Sequence, residues 1–133
     1  MPIQASIFRL PSGVRAVRAD CTGTVTREDA HAWLRQVDLG GPFHGLPVLA
    51  IALHLDRMTP EARGAYAALG NSTPGVERWM AVVVNTPVLR VTVINFVMRI
   101  TKKRKMHVFK TEEEAVRWLD ERLHEDAARK PAP

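Results

Sequence analysis

The sequence carries a single cysteine, Cys21, so no disulfide can form within the chain and a disulfide-stapled scaffold is excluded. A reducing, cytoplasmic setting is the expectation that follows. Long apolar runs are missing as well: no stretch approaches the roughly 20 residues a membrane-spanning helix needs. Met1–Ala5 lacks a basic segment followed by an apolar one, so no secretory signal is expected there. Glycine-rich phosphate loops are absent, as are a Gly-x-Gly-x-x-Gly fingerprint and a Gly-x-Ser-x-Gly elbow. His31, His44, His54, His107 and His124 are scattered without metal-ligand spacing. The acidic groups Glu28-Asp29 and Glu112-Glu113-Glu114 fall in the first turns of expected helices, where they serve the helix dipole. Catalysis, a bound metal and a cofactor are therefore not expected.

What is present suits one ordinary globular domain. The chain has 133 residues, 46% hydrophobic and 25% charged, enough to bury a core without crosslinks. Residues 1–125 are expected to form that domain, and 126–133 a disordered tail. The net charge of +5 raises nucleic-acid binding as a reading, but the excess is concentrated in Lys102-Lys103-Arg104-Lys105 with Arg99 just before it. The remaining cations are interleaved with carboxylates. A short run of this kind reads as a solvated loop or helix end, and a nucleic-acid partner is not expected.

The local patterns alternate strand with helix. Ser6–Leu10, the turn Pro11-Ser12-Gly13, and Val14–Cys21 read as a β-hairpin whose second strand continues toward Val25. Thr26 precedes Glu28 and Asp29 as a helix cap, and Ala30, Trp33, Leu34 and Val37 mark one helical face before Gly40-Gly41-Pro42. Pro47–Leu55 is a continuous apolar run of the kind that forms a strand covered on both faces. Thr59-Pro60 opens a second helix with Ala62, Ala65, Tyr66 and Leu69 inward. Trp79–Val84 is another short buried strand. The stretch 86–101 has β-branched residues that suit a strand, but its polar residues Thr92, Asn95 and Arg99 recur at helical spacing after a Thr86-Pro87 cap, and it is read as a helix. Lys105–Phe109 is a last strand, and Thr111-Glu112-Glu113-Glu114 a capping box before a helix with Ala115, Val116, Trp118, Leu119 and Leu123 inward. The order is ββαβαβαβα: an α/β fold with a sheet of about five strands, mostly parallel behind an N-terminal hairpin, covered by about four helices.

Three stretches carry a family resemblance. They are Val48–Asp56 followed by Thr59-Pro60-Glu61-Ala62-Arg63, then Trp79–Val84 with the helix Arg90–Ile100, and finally Val108-Phe109-Lys110-Thr111-Glu112-Glu113-Glu114-Ala115-Val116-Arg117-Trp118-Leu119. With the element order, they resemble the STAS domains of anti-sigma-factor antagonists, in particular the SpoIIAA-like branch of small bacterial domains, over roughly residues 6 to 124. The best-known members carry an Asp-Ser-Ser-Gly-like motif after the third strand, whose serine is phosphorylated by a partner kinase. Asp56-Arg57-Met58-Thr59-Pro60 stands there instead, an acid and a hydroxyl without that serine or glycine. The resemblance implies the fold and a regulatory, non-catalytic, protein-binding role. Asp56, Thr59 and Arg63 are its candidate regulatory loop, and Thr59 is also a helix cap in its own right.

The expected helix 88–100 is apolar around most of its circumference. Three readings stay open for it. It can be sunk between the sheet and neighbouring helices. Alternatively, it can present Leu89, Val93, Phe96, Val97 and Ile100 to a protein partner or a second copy. Finally, with Arg99, Lys102, Lys103, Arg104 and Lys105 at its end, it can lie on an anionic membrane surface or bind lipid.

Overall fold

The computed structural model describes residues 3–37, 41–43, 45–62, 64, 79–85 and 106–129. Its core element is a five-stranded sheet in the order β1-β2-β3-β4-β5, made of β1 (Ile3–Arg9), β2 (Arg15–Val25), β3 (Val48–Met58), β4 (Met80–Val83) and β5 (Met106–Phe109). β1 and β2 are antiparallel, and every later neighbour is parallel. The expected hairpin and parallel sheet are both present, with Pro47–Leu55 and Trp79–Val84 as neighbouring strands.

The hairpin closes through a three-residue turn. Leu10 donates its amide to the Val14 carbonyl at 2.9 Å, and Gly13 donates to Leu10 at 2.7 Å. Gly13 sits at φ +92°, the left-handed conformation this turn needs at its last position. From there the strands run in unbroken register, from Arg9 opposite Arg15 to Ile3 opposite Cys21. β1 thus begins three residues before the Ser6 expected from alternation.

Among the described residues, two long helices sandwich the sheet. Helix α1 (Arg27–Val37) turns Trp33, Leu34 and Val37 onto Val17, Ala19 and Val48 on one face. Helix α2 (Glu112–Arg129) lays Ala115 and Leu119 on Ala16, Leu49, Ile51, Ala81 and Val83 on the other. Neighbouring residues of one strand alternate sides, so Ala16 and Val17, or Val48 and Leu49, belong to different layers. Strands buried on both faces read as unbroken apolar runs for this reason. Residues 60–62 and 64 are helical, and Ala62 packs with Val25 and Ala30 on the α1 side.

The caps form as the sequence indicates, with one difference. Thr26 and Asp29 bond reciprocally: Asp29 donates its amide to the Thr26 hydroxyl at 3.4 Å, and its carboxylate accepts the Thr26 amide at 2.9 Å and hydroxyl at 2.8 Å. Thr111 accepts the Glu114 amide at 3.3 Å, but among the described residues Glu114 makes no return bond. Thr111→Ala should therefore lower stability by about 1 kcal/mol, the ordinary cost of one lost cap, read as a shift in urea midpoint at unchanged slope. A midpoint that does not move would show the cap to be idle.

Several boundaries differ from expectation. α2 runs through Arg129, four residues into the segment expected as a tail, because Ala127-Ala128-Arg129 are strong helix formers. β3 continues through Met58, so Asp56 lies on a strand and not in a loop. Leu53 and Val108, expected in the core, are half-buried, and so are Trp79 and Trp118. The last two meet edge to face, ring centroids 5.5 Å apart, with Phe109 at 5.5 Å from Trp118.

Candidate functional site: the overhang of strands β2 and β3

β4 pairs with β3 only over Val48–Ile51, whereas β2 stays paired with β3 as far as Met58. The last part of β3 therefore projects beyond the shorter strands. On its side away from β2, the backbone of residues 52–58 pairs with no strand among the described residues. Open ends of parallel sheets, past the carboxyl ends of the strands, are where such folds commonly receive ligands.

β3 is irregular in this overhang. Asp20 faces Ile51 but Thr22 faces His54, and Gly23 faces Leu55 but Thr24 faces Arg57, so β3 takes an extra residue at each place. Each extra residue reverses which side chains point to which face. Leu53 joins the α2 layer, whereas Leu55 and Met58 both pack on the α1 side with Val25, Ala30 and Ala62. Gly23, at φ +63°, supplies the left-handed residue on β2 at the second irregularity. The outcome is an overhang anchored on one side by Leu55 and Met58, with His54, Asp56 and Arg57 exposed.

Thr59 ends the overhang and starts the next helix. Its amide donates to the Val25 carbonyl at 3.0 Å, and its hydroxyl accepts the Ala62 amide at 3.2 Å. Thr59 is thus the expected helix cap, half-buried, three residues from exposed Asp56. Arg63, the third residue of the expected loop, lies outside the described residues. So does the expected apolar and basic surface of Leu89, Val93, Phe96, Val97, Arg99, Ile100, Lys102, Lys103, Arg104 and Lys105.

One charged group went unseen in the sequence. Arg18 on β2 pairs with Asp20 at 3.0 Å and with Glu112 in the first turn of α2. Glu112 is 94 residues from Arg18, and no local pattern reports a contact over that span. The side chains keep 32–40% exposure, so the group orients α2 more than it stabilises the fold. Midway along α2, Asp120 accepts the hydroxyl and the amide of Ser12 from the hairpin turn on its carboxylate.

Cys21 lies mid-strand in β2. Burial, and then the Asp20 charge, push its thiol up from 9.0 to about 11. The folded state therefore holds the proton longer than the unfolded chain. The stability this provides is whole below about pH 9 and is lost as pH rises from 9 toward 11. At pH 8 the folded protein should react with iodoacetamide about 100-fold more slowly than the urea-unfolded chain, since only the thiolate attacks. Equal rates would show the thiol to be open. Among the described residues, no three His, Cys, Asp or Glu side chains group in a metal-binding arrangement. No described helix is long and apolar enough to cross a membrane.

No family model matches the sequence. No curated protein matches it either. Structure gives a clear likeness to a solved protein of the DUF3478 family from Shewanella loihica PV-4, described as having a SpoIIAA-like fold. The TM-score is 0.64 over 88% of this chain and 93% of that one, at 15% identity. The chain has a SpoIIAA-like fold. The likeness expected from Val48–Arg63, Trp79–Val84 and Val108–Leu119 is thereby borne out as to fold. In this SpoIIAA-like sheet, Asp56 and Thr59 stand at the end of the third strand.

Proposed function

We propose that the protein is a non-catalytic regulatory module that receives a protein partner at the β2–β3 overhang. The observation that carries this reading is the overhang itself. It combines exposed His54, Asp56 and Arg57 with strand backbone left without a neighbouring strand among the described residues, beside a helix start capped by Thr59. Unpaired strand backbone gives affinity for an extended peptide, and flanking charges give selectivity. The SpoIIAA-like fold supports the reading by analogy, since fold and function are linked only through a site.

A photo-crosslinking residue at position 54 tests it, with the same residue at exposed position 117 on α2 as a control. One protein from a native lysate should be captured from position 54 and not from 117, and Asp56→Lys should abolish the capture. Equal capture from both positions, or none from 54, would overturn the reading.

A further inference from the structure

The far side of the sheet presents a second unpaired edge, and its geometry is more specific. β1 is an outer strand. Leu10 donates to Val14 across the hairpin, and Val17 donates the other way, to Pro47. In an unbroken antiparallel register these bonds settle the alternation: Gln4, Ser6 and Phe8 direct their backbone groups at β2, and Ile3, Ala5, Ile7 and Arg9 direct theirs outward. Among the described residues nothing hydrogen-bonds those outward groups.

Natural edge strands are usually blunted by charge, proline, a bulge or shortness. β5 follows that rule, with four residues and Lys110 directly after it. β1 does not. It is seven residues long, it is uncharged from Ile3 through Phe8, it has no proline or bulge, and it leaves Ile7 42% exposed.

We propose that β1 is the interface of a homodimer, pairing antiparallel with β1 of a second copy about a two-fold axis at Ser6. The alternation admits only axes that bring outward-facing residues together, and of these the one at Ser6 overlaps all seven residues of β1. With Ser6 opposite Ser6, Ile3 meets Arg9 and Ala5 meets Ile7, so every outward-facing residue of one strand meets an outward-facing residue of the other. The two sheets become one continuous sheet, and the interface is isologous. A parallel arrangement instead sets Arg9 against Arg9.

Charge supports the same register. Residues directly opposite in an antiparallel pair point to the same face, so Arg9 of one copy lies beside Ile3 of the other on the α1 side. Ile3 borders a shallow crevice between β1 and α1, which Asp29 and Gln36 also line. Asp29 uses one carboxylate oxygen to accept both Thr26 bonds, and its other oxygen has no partner among the described residues. The guanidinium of the second copy completes it, once on each side of the axis. Among the described residues of its own chain Arg9 donates only to the Gly13 carbonyl, an exposed contact that is readily exchanged. This edge is separate from the β3 overhang, so the dimer stands or falls independently of the partner reading.

Sedimentation of the full chain should give twice the 14.9 kDa chain mass. Ile7→Lys, at an exposed position, should give a folded monomer by circular dichroism. Arg9→Glu should weaken the dimer about tenfold or more, as loss of a partly desolvated charge pair does, and Arg9→Lys should recover part of that loss. The register is read directly in a Cys21→Ser background. Ser6→Cys should form an intermolecular disulfide under mild oxidation, because a non-hydrogen-bonded pair sets its Cα atoms about 4.5 Å apart, within disulfide reach. Gln4→Cys, which faces Phe8, should not. A monomeric wild type, a dimer that survives Ile7→Lys, or crosslinking no faster at position 6 than at position 4 would overturn the proposal.

Discussion

Replacing Trp33 with alanine is expected to remove about 3–5 kcal/mol of folding stability, the usual range for a buried aromatic truncated to a methyl group. Trp33 is 4% exposed and is the largest side chain α1 presents to the sheet, where it meets Val17, Ala19 and Val48. Small neighbours such as Ala19 cannot expand to fill the space, so the cavity cost adds to the lost burial. Domains of this kind are stable by about 5–15 kcal/mol in total, so one substitution removes about a fifth of the margin or more. Urea denaturation followed by circular dichroism measures the loss, and Trp33→Phe should restore more than half of it. A loss below about 1 kcal/mol would mean that α1 is not docked as described.

Leu119→Ala is expected to cost about 2–5 kcal/mol from the opposite face. Leu119 is fully buried on α2 and packs on a layer built from Leu49, Ile51, Ala81 and Val83. Alanine is the better helix former, but by only a few tenths of a kcal/mol, so packing decides the sign. Leu123, half-buried one turn later, is the internal control and should cost clearly less. Because the sheet separates Trp33 from Leu119, the double substitution should be additive within about 0.5 kcal/mol. Strong coupling between the two would place both helices in one layer and contradict the sandwich.

Element type was legible in the chain because it is written in short-range spacing. Trp33, Leu34 and Val37 recur at helical intervals, and Thr26, Thr59 and Thr111 stand at helix starts with their hydroxyls on the N3 amide. Pro11-Ser12-Gly13 marked the hairpin turn, and the runs at 47–55 and 79–84 marked interior strands. The fold likeness to SpoIIAA-like domains was readable from the same order of elements. The site was legible only in part. Asp56 and Thr59 were singled out as candidates by their place after the third strand, but the strand's continuation to Met58 was not legible, because it depends on pairing with β2. The apolar helix expected at 88–100 and the basic run after it lie outside the described residues.

Tertiary structure alone decided how these pieces face one another. Nothing local tells Val17 from Ala16 as belonging to the α1 or the α2 layer; that depends on which side each connecting segment crosses. The two extra residues of β3 turn Leu55 and Met58 toward α1, although no local sequence pattern marks either of them. Arg18 finds Glu112, and Ser12 finds Asp120, across 94 and 108 residues. The outer position of β1, which leaves its uncharged edge open, is likewise a property of sheet order. Periodicity and capping involve residues a few positions apart, so one chain segment holds all their information. Layer, register and edge arise from pairings between distant segments, which become definite only when the whole sheet is assembled.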